Sequence, residues 1–386
     1  MRIIVIHNTY QQRGGEDAVV EAELAMLSEH GHEVEEYRRH NDEIACLPFL
    51  KTAVDTLWSR QTVTDLVELI TRVRPDIIHS HNTFPLISPS LYWVSSRLQV
   101  PVVQTLHNFR LICPQAMFLR DDLVCEDCSG RLPWPGVLHK CYRDSMTQTT
   151  LLFGMLALHR ALGTYFSKVK RFIALTEFSK NKFIEAGFPA GKLCVKPNFS
   201  VSRKVPHQEV VARERPVALF VGRISPEKGV RTLVKAWRYI DFPLKIVGDG
   251  PLFAEIKACS AENINCLGQL REEQVSAEMS NAAFLVMPSE WYETFGLVLI
   301  EAFAHGLPIV ASRLGAMKEI VEEGVTGLLF EPGNVEDLVA KVCWMNEHPD
   351  ECRQMGHNAR GEFERNYTAE RNYEMLMNIY QEAING

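Results

Sequence analysis

A loop turns into a helix within the stretch Pro288-Ser289-Glu290-Trp291-Tyr292-Glu293-Thr294-Phe295-Gly296-Leu297-Val298-Leu299-Ile300-Glu301-Ala302. Its first half holds a proline and polar side chains. Leu297 and Ile300 then start an apolar pattern at helical spacing, so we expect a helix to begin near Gly296. The first N–H groups of a helix have no partner within it, and the helix dipole favours an anion in front of them. The stretch therefore predicts a phosphate site at the amides of Phe295, Gly296 and Leu297.

Two carboxylates bracket this helix start. Glu293 precedes it on the loop, and Glu301 lies about one and a half turns inside it. Carboxylates accept hydrogen bonds from hydroxyl groups. With a phosphate site between them, they indicate a nucleotide sugar, which carries hydroxyls on both sides of a diphosphate. The alternative for Glu301 is a structural role, because a carboxylate near a helix start also stabilises the helix dipole.

The composition is typical of a soluble protein with two domains. The chain has 386 residues, of which 46% are apolar and 23% charged. No apolar run reaches the roughly 18 residues of a membrane span, and the short run after Arg2 indicates a buried strand, so we expect a cytoplasmic protein. The net charge is −7, and the larger negative charge lies on the second half of the chain, which holds the predicted phosphate-binding loops, so a nucleic-acid partner is not expected. Ten cysteines in a cytoplasmic chain argue against disulfides.

Short apolar runs alternate with helical patterns along the whole chain. This alternation is typical of a parallel sheet with helices on both sides. The pattern stops at a polar stretch, residues 202–216, and then restarts, so we predict two Rossmann-like, doubly wound α/β domains that face each other across a cleft. The first covers residues 1–198 and is completed by a C-terminal helix at 368–386. The second covers residues 199–367.

Polar groups and glycines follow several predicted strands. In doubly wound sheets, ligands bind beyond the carboxyl ends of the strands. The residues placed there are Gly14, Gly15, His107, Arg223, Asp249 and Glu293. We expect them to converge on one site. Each also has a structural alternative: a core histidine, a surface ion pair, or a plain turn.

Several motifs in a fixed order resemble the retaining glycosyltransferases of family GT4, which have the GT-B fold. The motifs are Phe220-Val221-Gly222-Arg223 with Lys228-Gly229, Val247-Gly248-Asp249-Gly250-Pro251, the pair Glu293 and Glu301, Gly306-Leu307-Pro308-Ile309-Val310-Ala311, and Gly327-Leu328-Leu329-Phe330. The resemblance covers most of the chain and is strongest from Phe220 to Pro332. It implies a donor site carried mainly by the second domain and a C-terminal helix that crosses back onto the first.

The resemblance also implies a role for each site residue. Arg223 and Lys228 match the cations that hold the leaving diphosphate, and no metal is required for catalysis. Glu301 matches the carboxylate on the ribose, Glu293 the one on the donor sugar, and His107 a histidine near the anomeric centre. The other implied donor-binding positions are Gly14, Gly15, Gly222, Gly248, Asp249, Gly250, Phe295, Gly296 and Leu297.

These roles predict a retaining glycosyltransferase. It would move a hexose or related sugar from a nucleotide diphosphate sugar to a sugar or lipid-linked acceptor, in polysaccharide or glycoconjugate assembly. Two alternatives stay open, a nucleotide-sugar epimerase of the same fold and a non-catalytic partner subunit. Arg223 and Lys228 together with Glu293 and Glu301 favour transfer over both.

Four cysteines lie in a loop-like insert at residues 107–145. They are Cys113, Cys125, Cys128 and Cys141. Four thiolates suit a closed structural zinc site, which would hold together an insert without a core of its own. Because only one pair has the Cys-x-x-Cys spacing, four reduced cysteines are the alternative.

A strongly apolar helix is predicted at residues 151–162, within a basic region. Residues 131–182 hold nine Lys or Arg and two Asp or Glu. An apolar helix with basic flanks suits an anionic membrane surface or a lipid-diphosphate acceptor, which would place the protein at the inner face of the membrane. The alternative is a core helix of the first domain with a solvated rim.

Overall fold

The computed structural model describes residues 1–12, 14–200 and 217–386. They separate into two compact units. The first consists of Met1–Phe118, Glu126–Asn198 and Ala369–Gly386, and the second of Leu119–Cys125 and Phe199–Thr368. The insert at 107–145, which the sequence predicts within the first domain, is thus divided between the two units. The predicted linker at 202–216 lies outside the described residues.

The part of the chain up to Asn198 alternates strands and helices, as its apolar pattern predicts. Its elements are β1 (Arg2–Thr9), α1 (Gly15–Glu29), β2 (Glu33–His40), α2 (Phe49–Leu57), α3 (Arg60–Val73), β3 (Ile77–Ser80), α4 (Ser90–Arg97), β4 (Val102–Leu106), β5 (Leu119–Arg120), β6 (Leu123–Val124), α5 (Trp134–Leu138), α6 (Met146–Ala161), α7 (Thr164–Lys168), β7 (Arg171–Ala174), α8 (Glu177–Glu185) and β8 (Leu193–Val195).

The first unit is built on a parallel six-stranded sheet. Its strand order is β2-β1-β3-β4-β7-β8, so the order reverses between β1 and β3. The β1 strand pairs with β2 on one side and β3 on the other, and Ile3 to Ile6 are buried. An apolar run without alternation therefore forms a strand that is covered on both faces. The reversal opens a crevice beyond the carboxyl ends of β1 and β3.

The second unit repeats this design. Its elements are β9 (Ala218–Val221), α9 (Val230–Ala236), β10 (Leu244–Val247), α10 (Phe253–Cys259), β11 (Ile264–Gly268), α11 (Glu272–Asn281), β12 (Phe284–Met287), α12 (Leu297–Ala304), β13 (Ile309–Ser312), α13 (Gly315–Ile320), β14 (Gly327–Phe330), α14 (Val335–Glu347) and α15 (Pro349–Asn366). The parallel strand order is β11-β10-β9-β12-β13-β14, with the reversal between β9 and β12.

The chain ends with α16 (Ala369–Asn385), which belongs to the first unit. Leu376, Ile379 and Tyr380 are buried, as the predicted amphipathic pattern requires. The Tyr380 hydroxyl lies 2.7 Å from His79 Nδ1, on β3 of the same unit. The prediction that a C-terminal helix returns to the first domain is therefore confirmed.

The predicted apolar helix is α6, and it is split between core and surface. Leu152, Met155 and Leu156 form a buried cluster with partly buried side chains around them. Leu158 and Leu162 are exposed. Among the described residues, no helix is both long and apolar enough to cross a bilayer.

Candidate active site

The centre of the second unit's site is an ion pair across the strand-order reversal. Lys228 follows β9 and Glu293 follows β12, the two neighbouring strands at which the order reverses. The Lys228 Nζ atom lies 2.5 Å from Glu293 Oε1. Because the crevice at such a reversal is where open α/β sheets bind ligands, the pair marks the expected ligand position.

Three donors converge on a single oxygen of Glu293. Besides Lys228, the Ser289 hydroxyl donates to Oε1 at 3.0 Å and the Trp291 indole N–H at 2.9 Å. Glu293 is 5% exposed, so these bonds compensate for the burial of its charge. The Lys228 ammonium also lies 5.4 Å from the centroid of the Trp291 ring. Sequence reasoning missed Ser289 and Trp291, although both flank Glu293 in the stretch that predicts the phosphate site.

The helix start forms where the sequence predicts it. Gly296 precedes α12 with φ = +88°, a left-handed conformation that favours glycine. A Cβ atom at this position would lie 3.1 Å from Met287 Cε, so packing also selects glycine. Phe295 is buried and contacts the Tyr367 ring edge-on. Within the described part of the chain, the N–H groups of Phe295 and Gly296 donate to no acceptor, which leaves them for a ligand.

Glu301 lies one turn further along α12, half-buried. Burial, and next the negative charge of Glu272, raise the pKa of its carboxyl group to about 7. None of the described side chains forms a hydrogen bond or an ion pair with this carboxyl group. A half-buried carboxylate without such a partner is ready to accept hydroxyl donors. The carboxyl groups of Glu301 and Glu293 do not contact each other by a hydrogen bond.

The two predicted cations, Lys228 and Arg223, have different surroundings. Lys228 is held by Glu293, whereas Arg223 is exposed and its guanidinium forms no hydrogen bond or ion pair with the described residues. Asp249 is also exposed and accepts a bond from the Gly250 amide at 2.7 Å. Arg223 is thus an exposed cation at the carboxyl end of β9, and the alternative of a surface ion pair is not seen among the described residues.

Gly248 owes its residue type to close packing against the backbone of Gly222 on the neighbouring strand. The Gly248 φ is +138°, and a Cβ atom there would lie 1.9 Å from the Gly222 carbonyl oxygen. The Gly222 amide donates to the Val247 carbonyl at 3.0 Å. Close backbone packing therefore requires Gly248 whether or not a ligand is present, so this glycine alone does not identify a donor site. A Cβ atom at Gly250 would likewise lie 2.5 Å from the Ile224 carbonyl oxygen.

In the glycine loop of the first unit, Gly14-Gly15, close packing does not explain the glycine at position 14. Gly14 precedes α1 in an extended conformation, and a Cβ atom there would meet nothing within 4 Å. Its amide donates to Asp17 Oδ2 at 2.9 Å, and Asp17 Oδ1 lies 2.8 Å from His7 Nε2. Asp17 thus ties the Gly14-Gly15 turn to the end of β1. No atom of the described residues requires glycine at position 14, and its role in donor binding stays a prediction.

His107 follows β4 and lies beside His81, which follows β3. The His107 Nε2 and His81 Nδ1 atoms are 2.9 Å apart. Burial is the main reason why the pKa of His107 falls to about 3, so its ring is neutral. Both histidines line a small cavity, with Glu16, Asn108 and Arg110. The role of His107 at the donor sugar stays a prediction, as does the alternative of a core histidine whose polar atoms are satisfied by contacts such as that with His81.

Glu16 is a residue of this cavity that sequence reasoning missed. Its Oε2 atom accepts from the Tyr10 hydroxyl at 3.1 Å and from Asn108 Nδ2 at 3.4 Å. Its Oε1 atom is buried and has no hydrogen-bond partner. Burial is the first reason why the pKa of the Glu16 carboxyl rises to about 7. The sequence gives only a weak signal, a carboxylate directly after the glycine pair.

The four cysteines of the insert do not form a recognisable metal site. Cys113 and Cys128 are buried, while Cys125 and Cys141 are half-buried. None of the ten cysteines, all of which are described, forms a disulfide. Among the described residues, one group of three or more potential ligands lies close enough to hold a metal ion, and it consists of Glu23, His79 and His81. Zinc binding by the cysteines stays a prediction.

Two doubly wound parallel sheets, each with its polar residues at the strand-order reversal, define a nucleotide-binding class of α/β protein. Comparison with known sequences narrows this class. Residues 202–362 match the family described as glycosyl transferases group 1, and residues 13–199 match glycosyltransferase family 4. The chain belongs to family GT4, a family of retaining glycosyltransferases with the GT-B fold.

Individual relatives agree with this assignment. The chain is 37% identical over 158 residues to sulfoquinovosyl transferase SQD2 of Arabidopsis thaliana. This match covers 39% of this chain and 31% of that protein. Matches to the first curated relatives span less than half of their length. Among solved structures, the fold is similar to a sucrose-phosphate synthase from Thermosynechococcus elongatus, with TM-score 0.71, 19% identity and 98% of each chain covered. HepE of Anabaena in complex with UDP-glucose gives TM-score 0.68 and 18% identity, with 98% of this chain and 100% of that chain covered.

Proposed function

We propose that the protein transfers a sugar, with retention, from a nucleoside diphosphate sugar to a sugar or lipid-linked acceptor. The observation that carries the proposal is the Lys228–Glu293 pair across the strand-order reversal of the second unit. It places a cation and a hydroxyl acceptor at the position where such sheets bind ligands. The free amides before α12 add anion binding at the next loop.

The chemistry needs positive charge on the leaving group. As the bond from the anomeric carbon to the diphosphate oxygen breaks, negative charge builds on the diphosphate, and Lys228 and Arg223 stabilise it. The acceptor hydroxyl forms the new bond on the same face while its proton passes to the departing diphosphate. Glu293 Oε1 is occupied by three donors. Its Oε2 atom is therefore the oxygen that we assign to a donor sugar hydroxyl.

A binding screen tests the donor. UDP, GDP, ADP and their sugars are titrated in thermal-shift measurements, and we expect one nucleotide to raise the melting temperature. The complex of HepE with UDP-glucose makes the uridine series the first choice. Glu301→Ala should remove the shift, because Glu301 is the proposed ribose carboxylate. A screen without any shift would contradict the proposal.

Product analysis separates transfer from the two alternatives. An epimerase would change the sugar of the nucleotide when no acceptor is present, whereas a transferase would only hydrolyse the donor slowly. A non-catalytic subunit would do neither. For a transferase we expect slow donor hydrolysis that Glu293→Ala abolishes, because a contact to the reacting sugar is lost.

The acceptor side is assigned to the cavity around Glu16. The unpartnered Glu16 Oε1 atom is suited to an acceptor hydroxyl. Arg110 covers the Phe84 and Tyr142 rings at 4.9 and 5.2 Å and is a cation for an acidic or phosphorylated acceptor. We expect Glu16→Gln to lower transfer relative to donor hydrolysis about tenfold. Glu29→Gln, at the exposed end of the same helix, should leave this ratio unchanged.

A membrane surface is the proposed location of a lipid-linked acceptor. On α2, Phe49, Leu50 and Val54 are 54, 76 and 57% exposed, so this helix presents more apolar surface than α6. Arg171 pairs with Glu382, and the Lys168 ammonium lies over the Trp93 ring. Changing either residue would also break these contacts, so neither is a good test of membrane binding. Leu50→Ser with Val54→Ser should reduce co-sedimentation with phosphatidylglycerol vesicles. Tyr239→Ser, at an equally exposed position of the second unit, should not.

Structural zinc on Cys113, Cys125, Cys128 and Cys141 is the last proposal from the sequence. Four thiols within 29 positions support it, and two of them are buried. Metal analysis of protein purified without chelator tests it. About one zinc per chain is expected, and Cys125→Ser with Cys128→Ser should remove it.

A further inference from the structure

Trp291 contacts both members of the Lys228–Glu293 pair in the second unit. Its indole N–H donates to Glu293 Oε1 at 2.9 Å, and the Lys228 ammonium lies over its ring, 5.4 Å from the ring centroid. The ammonium and Glu293 Oε1 are themselves 2.5 Å apart. Each of the three side chains therefore contacts the other two. We call Lys228, Trp291 and Glu293 the polar triangle, in which Trp291 is the neutral member.

The hydrogen bond is the stronger of the two contacts that Trp291 makes. A hydrogen bond to a charged group is stronger than one between neutral groups. A cation–π contact requires the cation within about 6 Å of the ring centroid, and the distance here is close to that limit. The Lys228 side chain is also 22% exposed, so water competes with the ring for its ammonium. We therefore expect the bond to Glu293 to account for most of the effect of Trp291.

The polar triangle and Ser289 together fix the plane of the Glu293 carboxylate. The buried Ser289 hydroxyl donates to the same oxygen, Oε1, at 3.0 Å. Three donors on one oxygen restrain rotation of the carboxylate about its last carbon–carbon bond. Within the part of the chain that the structure describes, Oε2 accepts no hydrogen bond. Glu293 thus presents a second oxygen in a fixed direction, ready for a hydroxyl donor.

The loop that carries Trp291 is held in place without the indole ring. The Glu290 amide donates to the Glu227 carbonyl at 2.9 Å, and Glu290 Oε1 accepts from the Thr232 hydroxyl at 2.5 Å. The Glu293 amide donates to the Trp291 carbonyl at 3.0 Å, a backbone contact that any residue at position 291 would keep. Trp291 is half-buried rather than part of the buried core. Filling the core therefore does not explain why a tryptophan lies here.

We propose that Trp291 is a positioning residue for sugar transfer: its N–H holds Glu293 Oε1, so that Oε2 faces a hydroxyl of the donor sugar, and its ring holds the Lys228 ammonium beside Glu293. Trp291 acts through these two residues. The sugar contact rests on the proposed function, whereas the polar triangle in the free protein does not. The consequence is that loss of the indole N–H lowers turnover while the nucleotide still binds at the start of α12.

Indole NMR tests the polar triangle in the free protein. With 15N-labelled tryptophan, each of the six indole N–H groups gives a 1H–15N correlation signal, and that of Trp291 is the one that disappears in Trp291→Phe. In Glu293→Ala the indole N–H loses its acceptor, so we expect its proton signal to move upfield and to exchange faster with water. Glu278→Ala breaks the ion pair with Lys245 in the same unit, and this matched control should leave the signal in place. An unmoved Trp291 signal in Glu293→Ala would overturn the proposal.

Three tryptophan variants test the role in turnover. Trp291→Phe keeps an aromatic ring but loses the N–H, and we expect kcat to fall about tenfold while the Kd of the nucleoside diphosphate changes less than about twofold. Trp291→His keeps a ring N–H at the corresponding position and should restore kcat to within about threefold of the wild-type value. Trp344→Phe is the matched control, because the Trp344 ring stacks on His348 with centroids 4.3 Å apart, and it should leave kcat unchanged.

A merely structural role for Trp291 predicts a different pattern. The same loop leads to the amides of Phe295 and Gly296, so a distorted loop would weaken nucleotide binding as much as turnover, and Trp291→His would restore neither. That pattern, or a normal kcat in Trp291→Phe of an active transferase, would overturn this proposal alone. An indole signal that moves as expected in a protein that transfers no sugar would overturn the proposed function alone.

Discussion

The Lys228 ammonium lies 2.5 Å from Glu293 Oε1, so two residues that the sequence assigns to different parts of the donor are paired with each other. The diphosphate and the sugar meet at the anomeric carbon, which makes a shared position for their two partners reasonable. A donor in this site would contact Lys228 on one side and Glu293 Oε2 on the other. In the proposed mechanism, the pair joins charge stabilisation by Lys228 and sugar orientation by Glu293.

Coupling between these residues is the first prediction. Lys228→Met and Glu293→Gln should each lower kcat about a hundredfold, in the range observed for removal of one preorganised transition-state contact. The double variant should be less impaired than the product of the two effects, because each residue positions the other. Steady-state kinetics of the four proteins gives the coupling energy. Lys245→Met, which breaks the more exposed pair with Glu278 at 2.6 Å, should leave kcat unchanged. Strict multiplication of the effects would show that the residues act independently.

The pH dependence of nucleotide binding is the second prediction. Glu301 has a pKa of about 7 in the free protein, and its ionised form accepts the ribose hydroxyls better. Affinity for the nucleoside diphosphate should therefore weaken as the pH falls below 7, and binding should release a proton near pH 7 but none well above it. Calorimetry between pH 6 and 8 measures both. Glu272→Gln removes the second cause of the raised pKa, so it should move the transition to lower pH. Glu301→Gln should abolish the dependence, and a dependence that survives this change must come from another group.

The stability of the first unit is the third prediction. Lys196→Met leaves the buried Glu23 carboxylate without its counter-ion, so the free energy of unfolding should fall by about 3–5 kcal/mol. Because the pKa of Glu23 is lowered in the folded state, its contribution is present above the unfolded pKa and is lost as the pH falls through the folded one. The wild-type protein should thus lose stability below about pH 4.5, which urea titrations at several pH values can measure. Arg72→Met, at an exposed pair with Glu35, should change stability by less than about 0.5 kcal/mol.

The fourth prediction compares alanine substitutions at Gly248 and Gly14, for which we expect opposite effects on stability. Gly248→Ala would place a methyl group 1.9 Å from the Gly222 carbonyl oxygen, so the second unit should lose at least about 3 kcal/mol. Gly14→Ala meets open space, and its effect on stability should stay within about 1 kcal/mol. If the Gly14 loop contacts the donor, this second variant should nevertheless raise the donor KM. Thermal unfolding together with donor kinetics separates the two cases, and a Gly14→Ala enzyme with normal kinetics would remove this loop from the site.

Much of the fold could be predicted because its signals are local. The uninterrupted apolar run of β1 indicates a strand buried on both faces, and the apolar spacing after Gly296 indicates α12. Glu293 could be predicted as a site residue because residues that follow parallel strands lie at one edge of the sheet, whereas Lys228 was predicted from the family resemblance. The structure also shows the limit of such signals: the glycine motif around Gly248 is required by strand packing, whatever its role in binding.

The sequence by itself determined the two parallel sheets, the loops that carry polar residues and the membership of a transferase family, because apolar periodicity and motif spacing are properties of the chain read in order. Only the tertiary structure decided the partner of each polar group. Lys228 pairs with Glu293, and Lys196 pairs with Glu23 across 173 positions. Partners so far apart along the chain are brought together by strand order and loop course. Hydrogen bonds and buried charges depend on distances of a few ångströms, which no local pattern contains.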